Sequence, residues 1–189
     1  MLRLTRCRRG DQAHFDFYTG LPQNLSKAIA ESRKRYGHAD DADLHVCISH
    51  KRRRTIAHAK QARLAEGREC VEIPENDDPA FPCFVGTKLV GNSTSGKIVN
   101  GGRYTVTAIG KEKVALQDDM TEDAFEASLD LVGRCCLLAH AMVYNKVQGA
   151  TETGTVMLHS MGSKFLRRSH LYVGLSRATD GGNVFVARD

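Results

Sequence analysis

Residues 44–73 constrain the fold of this chain more than any other stretch. Residues 44–48 form a short, mostly apolar run of buried-strand type, and Ser49-His50 leads into a basic helical stretch over 52–65 that Gly67 ends. Residues 70–73 are a second strand-like run. Strand, helix and strand in that order predict a parallel α/β sheet. Upstream, residues 22–36 place Leu25, Ile29, Ser32 and Tyr36 on one helical face, with Asn24 able to cap the start and Gly37 to close the end. Downstream, residues 155–159 read as a buried strand, 168–178 as a helix and 183–187 as a last strand.

The pattern changes at Pro74. Three of the four prolines (Pro74, Pro79 and Pro82) crowd together and mark a boundary. Between Phe84 and Gln117 come short β-like runs at 87–90, 97–99, 104–109 and 114–117, with Asn100-Gly101 as a tight-turn signal. So many small strands in so little chain predict a little β-barrel inserted into the α/β domain. Helical patterning returns over 121–132, with Thr121 as cap, Glu122 and Asp123 in the first turn, and Phe125, Leu129 and Val132 on one face. Residues 137–144 are too few for periodicity to separate helix from strand. At 189 residues there is room for one domain carrying such an insert.

Gly91-Asn92-Ser93-Thr94-Ser95-Gly96-Lys97 satisfies most of the phosphate-loop spacing. The next residue is Ile98, so the hydroxyl that would hold Mg²⁺ is absent. The loop also runs into Ile98-Val99-Asn100-Gly101-Gly102, a strand and turn, rather than into a helix whose first amides would cradle phosphate. We expect no ATP to bind there.

Composition narrows the partners. The hydrophobic share (41%) and charged share (26%) are those of a folded globular chain, not a disordered or fibrous one. The net charge of +5 is clustered, in Arg3, Arg6, Arg8 and Arg9, in Lys51-Arg52-Arg53-Arg54, and in Arg167-Arg168. Such clusters suit a polyanion, either phosphate backbone or nucleotide, although each alone reads equally well as a solvated basic face. The six cysteines (Cys7, Cys47, Cys70, Cys83, Cys135, Cys136) make no Cys-x-x-Cys pair and no metal-ligand spacing with the eight histidines. No metal site is expected, and a reducing, intracellular compartment (nucleus or cytoplasm) is. No apolar run approaches the roughly 20 residues that cross a bilayer, so no membrane is expected, and the N-terminus lacks the apolar core of a secretory signal.

Two polar signatures stand out within residues 137–178. They are Asn145-Lys146-Val147-Gln148-Gly149-Ala150-Thr151 and Tyr172-Val173-Gly174-Leu175-Ser176-Arg177-Ala178. A core segment has no need of Lys, Gln and Gly closing an apolar run, nor of an Arg closing Tyr-Val-Gly-Leu-Ser. Taken singly, the first also fits an ordinary helix C-terminus with Gly at its end, and Arg177 fits a helix surface. Together they resemble the last two motifs of superfamily 1 helicases, commonly His-Lys-Ser-Gln-Gly-x-Thr in the RecD-like, Pif-type (1B) branch and Tyr-Val-Ala-Leu-Ser-Arg-Ala/Val. Lys146, Gln148, Gly149 and Thr151 match the former, while Asn145 stands for His and Val147 for Ser. Leu4-Thr5-Arg6-Cys7-Arg8-Arg9 is similar to the family's Leu-Thr-x-x-x-Arg segment. Cys47-Ile48-Ser49-His50-Lys51-Arg52-Arg53 resembles the strand and turn that open the second motor domain.

The resemblance implies a fold: the second RecA-like domain, α/β, a parallel sheet flanked by helices with a small inserted β-barrel. Residues 1–20 would be the tail of a preceding motor domain or a linker, 21–83 with 118–189 the RecA-like domain, and 84–117 the barrel. It also implies chemistry. Arg177 would be the finger that stabilises charge on the γ-phosphoryl group of ATP, an effect worth roughly 10³–10⁵ in rate in the analogous GTPases. A guanidinium suits that task because it stays charged and grips two oxygens. Arg9 would sense the nucleotide, and Arg8 occupies the place of a base-stacking aromatic.

By the same resemblance, Gly149, Gln148, Ser176 and Tyr172 would face the nucleotide. Lys146, Asn145, Thr151, Ser49, His50 and Arg52 would touch single-stranded DNA. With no phosphate loop and no acidic Mg²⁺-binding pair in the sequence, ATP and Mg²⁺ would be held mainly by a first RecA-like domain, in cis or in trans. The function expected is the C-terminal half of an ATP-dependent 5′→3′ DNA helicase without ATPase of its own, the polarity being implied by the family. The alternative is a non-catalytic single-strand-binding module derived from such a helicase, and a plain protein-interaction domain comes third.

Overall fold

The computed structural model describes residues 10–75, 78–148 and 151–188. In chain order the elements are α1 (Gln12–Thr19), α2 (Leu25–Arg35), β1 (Leu44–Cys47), α3 (His50–Ala65), β2 (Val71–Glu75), β3 (Asp78–Cys83), β4 (Lys88–Gly91) and β5 (Arg103–Ile109). Then follow β6 (Lys113–Asp118), β7 (Ala124–Ser128), α4 (Leu129–Cys135), β8 (Cys136–Leu138), β9 (Ala141–Val143), β10 (Val156–Leu158), α5 (Arg168–Leu175) and β11 (Val184–Val186). They fall into two compact units, one from the described residues of 1–54 and 141–189, the other from those of 55–140.

In the first unit four described strands lie parallel in the order β11-β10-β1-β9. Leu44 pairs with Val156 and Val46 with Leu158, and these in turn with Val184 and Val186. Alternate strand residues share a face, so these six line one side of the sheet. There they pack with Ala28 of α2, Leu171 and Leu175 of α5, and Tyr144. Leu171 and Leu175 sit four apart on one helical stripe and are fully buried, each worth roughly 1.5–3 kcal/mol. The opposite side carries His45, Met157 and Phe185, with Met157 packed against Ala42 and Ala187. The Asn24 side chain caps α2 by accepting from the Lys27 amide, as expected.

The second unit is antiparallel. β2 pairs β3, and five described strands run in the order β7-β6-β5-β4-β8. Buried Gln61 of α3 knits this unit together: its Nε2 donates to the Pro82 carbonyl (2.7 Å) and to Thr87 Oγ1 (2.9 Å), and its Oε1 faces His140 Nε2 at 2.8 Å.

Several expectations are corrected. Residues 70–73 do not join β1 in a parallel sheet; β2 pairs antiparallel with β3, and the parallel neighbours of β1 are β9 and β10. The helix expected over 121–132 is instead β7 followed by α4. Residues 124–128 run alongside β6, Glu122 takes a positive φ of 62°, and Ser128 rather than Thr121 caps the helix. Residues 137–144 resolve into the ends of two different sheets, β8 and β9. The strands of 113–128 and 136–138 share a sheet with β4 and β5. Residues 10–20, expected as tail or linker, contain α1, which packs on α5 in the first unit.

What fixes α1 is a buried imidazole. His14 Nε2 donates to the Leu175 carbonyl at 2.9 Å while Nδ1 lies 2.7 Å from the Tyr36 hydroxyl, which donates to it when the ring is neutral. Burial, opposed in part by the Leu175 carbonyl, lowers the His14 pKa below its ordinary 6.5 and raises that of Tyr36 to about 12. A His whose folded value is depressed contributes stability that is complete above 6.5 and lost as pH falls through the folded value. The thermal midpoint should therefore drop as pH goes from about 7.5 to about 5. His14→Gln should be less stable by about 1–3 kcal/mol at the upper pH and show a shallower drop. Equal drops in both proteins would remove His14 as the cause.

Candidate nucleic-acid interface and nucleotide-facing turn

All strands of a parallel sheet end at the same edge, and that edge is where open α/β sheets bind ligands. Three segments leave it side by side: 48–54 after β1, 144–148 after β9 and 159–167 after β10. They are tied together. The Tyr144 amide donates to the Cys47 carbonyl (3.1 Å), the His159 amide to the Val46 carbonyl (2.8 Å), and the Ile48 amide to Ser160 Oγ (3.4 Å). The Tyr144 hydroxyl closes the set by donating to the His159 carbonyl at 3.2 Å.

On the first segment Ser49 Oγ accepts from the Arg52 amide (3.2 Å) and starts α3. The first turn then presents Ser49, His50, Lys51 and Arg52 to solvent with no acidic residue among them. Cations at a helix N-terminus oppose the macrodipole, so a bound anion there would relieve a cost built into the local sequence. On the second segment Asn145 and Lys146 are exposed at the tip of a turn held by the Lys146 amide on the Val143 carbonyl (2.9 Å). Gln148 and Thr151 are exposed too. Gly149 and Arg9, with Arg8, lie outside the described residues.

Two arginines counted in the basic clusters serve elsewhere. Arg53 is buried. Arg168 spends its guanidinium on the Leu21 carbonyl (2.8 and 3.2 Å) and the Pro22 carbonyl (3.0 Å), fastening α5 to the turn before α2.

The second signature is shaped around Arg177. α5 stops at Leu175, and the Arg177 side chain folds back over the helix end. Its Nε donates to the Val173 carbonyl (3.0 Å), Nη1 to the Val147 carbonyl (3.1 Å) and Nη2 to Ser176 Oγ (2.9 Å). Ser176 Oγ itself donates to the Val173 carbonyl at 3.0 Å. On the backbone, the Glu152 amide donates to the Arg177 carbonyl at 2.8 Å, and Glu152 bridges Ala178 in parallel. The two signatures are thus clasped on both sides of residues 148–151. Sequence reasoning missed the positioning role of the Val147 carbonyl. The available signal was that this position is apolar where the resembling motif has Ser, and Val147 is fully buried.

Tyr172 is 40% exposed and meets the Tyr18 ring edge-on at 5.3 Å. Gly174 stands where the resembling motif has Ala. A Cβ there would lie 2.7 Å from Leu158 Cδ2 and 2.8 Å from Tyr144 Cε1.

The phosphate-loop look-alike is a strap on the β4–β5 connection. The Asn92 amide donates to the Cys135 carbonyl (2.7 Å), and Ser95 and Ile98 exchange backbone bonds (2.9 and 3.0 Å). Gly91 approaches so closely that a Cβ would sit 2.1 Å from the Val99 carbonyl oxygen. Lys97 Nζ rests 5.8 Å from the Phe125 ring centroid. The Asn92, Ser95 and Ile98 amides are thus spent within the strap, where a phosphate loop would turn its amides toward a ligand. Burial pushes the thiols of Cys83 and Cys136 up to about 11 and about 12, which leaves them unreactive near neutral pH. Among the described residues no cluster of His, Cys, Asp or Glu is suited to a metal, and no helix is long and apolar enough to cross a membrane.

No protein-family model matches this chain, and no curated protein does. Solved structures match throughout its length. A Pif1 helicase bound to ADP-AlF3 and single-stranded DNA, from Bacteroides, superposes with a TM-score of 0.70 at 17% identity over 98% of this chain and 51% of its own. A Pif1 helicase solved in work on forked duplex unwinding gives 0.68 at 16% over 95% and 48%, and the Candida albicans Pif1 helicase 0.65 at 14% over 95% and 54%. The architecture is therefore the RecA-like α/β fold found in Pif1 helicases, and the chain spans about half the length of the structures it matches.

Gly174→Ala tests the packing beneath the second signature. The helix gains about 1 kcal/mol of propensity, but Leu158 and Tyr144 must move, at about 1–3 kcal/mol. Chemical denaturation should show a net loss; equal or higher stability would mean the two side chains have room to yield.

Proposed function

We propose that this chain is the second RecA-like domain of an ATP-dependent DNA helicase of superfamily 1B, acting 5′→3′ as in the family it resembles. The observation that carries the reading is the clasp of Arg177 on Val147, which joins the two signatures at the carboxyl edge of the sheet. ATP and Mg²⁺ would be held by a first RecA-like domain, in cis or in trans, because the Gly91–Lys97 strap offers them nothing. Arg177 would then exchange some of its present acceptors for γ-phosphoryl oxygens and stabilise the charge that develops there. Gln148 and Tyr172 would border the nucleotide, with Gly149 and Arg9 as further contacts. Ser176, whose hydroxyl serves Val173 and Arg177, would act by holding the finger. Lys146, Asn145, Thr151, Ser49, His50 and Arg52 would grip the strand backbone. In this reading the antiparallel strands β7-β6-β5-β4-β8 would supply the small inserted β-barrel.

A second reading is favoured by how completely Arg177 is engaged within its own unit: a clamp that binds single strands without hydrolysis. Supplying a first RecA-like domain separates the two readings. The motor half should restore ATP turnover, and Arg177→Ala should then lower the catalytic rate by roughly 10³ or more with little change in DNA affinity. An unchanged rate would sink the finger. Lys97→Ala should leave turnover as it was, and a loss there would reinstate the strap as a phosphate site.

Both readings require salt-dependent binding of single-stranded DNA by the chain itself. Removing Lys146 and Arg52 together should flatten the slope of log affinity against log salt by about 0.7 per lost contact. An unaltered slope would place the strand elsewhere.

A further inference from the structure

The segment leaving β10 carries a side chain that neither signature accounts for. Met161 and Leu166 are buried in the core of the first unit, yet Phe165 between them stands 65% exposed. The backbone that carries this ring is held. The Ser163 amide donates to the Ser160 carbonyl (3.0 Å), the Leu166 amide to the Ser163 carbonyl (3.0 Å) and the Phe165 amide to Ser163 Oγ (3.3 Å). Ser160 takes a positive φ of 68° to start the turn. A backbone so closely held, with an apolar ring turned outward, points to a ligand for that ring.

The surroundings indicate which ligand. Lys164 Nζ lies 5.1 Å from the Phe165 ring centroid. Lys164 and Arg167 are exposed, and between Glu152 and Asp180 the sequence contains no Asp or Glu. The segment leaves the same sheet edge as Ser49, Arg52 and Lys146 and is bonded to the first of their loops through Ser160 Oγ and the Ile48 amide. An aromatic face bordered by cations, with phosphate-type contacts on the neighbouring strand ends, matches the chemistry of unpaired nucleic acid: each base offers a π-face, and its backbone offers charge. An acidic peptide would satisfy the cations but not the ring, and a duplex hides its base faces.

We propose that Phe165 is a stacking platform for a base of bound single-stranded nucleic acid, with Lys164 and Arg167 meeting the adjoining phosphates. This site rests on the reading of the carboxyl edge as a single-strand interface, and adds to it a contact with the bases.

The chain contains no tryptophan, so Phe165→Trp installs a lone indole at the platform, whose emission is excited selectively over that of the tyrosines. Adding a thymidine oligonucleotide to that variant should quench its emission. Phe165→Ala should weaken binding of the same oligonucleotide by roughly tenfold, with the salt slope unchanged because no phosphate contact is lost. The Ala variant should discriminate less than the wild type between that strand and an abasic strand of equal length. Since Phe165 is exposed, both variants should keep the wild-type thermal midpoint.

Wild-type affinity in the Ala variant, or an unquenched Trp on a demonstrably bound strand, would overturn the platform while leaving the salt-dependent interface intact. Absence of strand binding by the folded wild-type chain would remove interface and platform together.

Discussion

Everything in the first unit depends on β1 being hydrogen-bonded on both sides by strands that come from the far end of the chain. Ile48 and Ser160, bonded at the edge of this ladder, are 112 positions apart. Closing so long a loop costs little more than closing a short one, about 0.6 kcal/mol for each doubling of length. The parallel ladder β9-β1-β10-β11 therefore tolerates a whole antiparallel unit within the connection from β1 to β9, provided the ladder itself is well buried. It is: Leu44, Val46, Val156, Leu158, Val184 and Val186 are all nearly inaccessible. Because the strands run the same way, burial on their faces also brings three chain segments out at one edge. Packing and site are consequences of one arrangement.

How much of this could be read from the residues depended on whether the deciding contact was local. Asn24 capping α2, the apolar runs of β1, β10 and β11, and the turn at Asn100-Gly101 are decided within a few residues, and they were legible. Strand pairing is not local. The 70–73 run has the same apolar character whether its neighbour is β1 or β3, and nothing nearby chooses between them. Residues 121–132 offer a helical face in Phe125, Leu129 and Val132, yet 124–128 gains more by pairing with β6 and setting Phe125 edge-on against Tyr104 at 5.8 Å. Tertiary context overrode the helical pattern. α1 was missed because its anchor, His14, is a polar residue whose partners sit 22 and 161 positions away.

The candidate site divides in the same way. Asn145, Lys146 and Gln148 close an apolar run and are exposed, as their residue types announced. Adjacent arginines of identical type, however, do different things. Arg52 faces solvent at the first turn of α3, whereas Arg53, one step of about 100° around the helix, is buried. Arg168 lies beside exposed Arg167 and fastens three bonds to two carbonyls. A cluster of basic residues in sequence is an upper bound on the charge offered to a polyanion, and here the fold withdraws a good part of it.

Arg177 is where sequence and structure meet with most tension. The proposed function gives it to a phosphoryl group, while its geometry gives it to the carbonyls of Val173 and Val147. The two are compatible if the arginine changes partners. Hydrogen bonds from a charged donor are worth about 1.5–3 kcal/mol each, and a phosphate gripped by two of them competes on equal terms. Moving the guanidinium would release the Val147 carbonyl, and Val147 directly follows Asn145-Lys146 in the turn at the sheet edge. If the proposed function holds, any free energy a nucleotide spent in drawing Arg177 away would be felt by the residues proposed to grip the strand. By reciprocity, a strand that altered the turn would then change the affinity of Arg177 for phosphate by the same factor. The coupling such a motor would need, about 1–3 kcal/mol as is typical of linked sites, is no larger than one such exchanged bond.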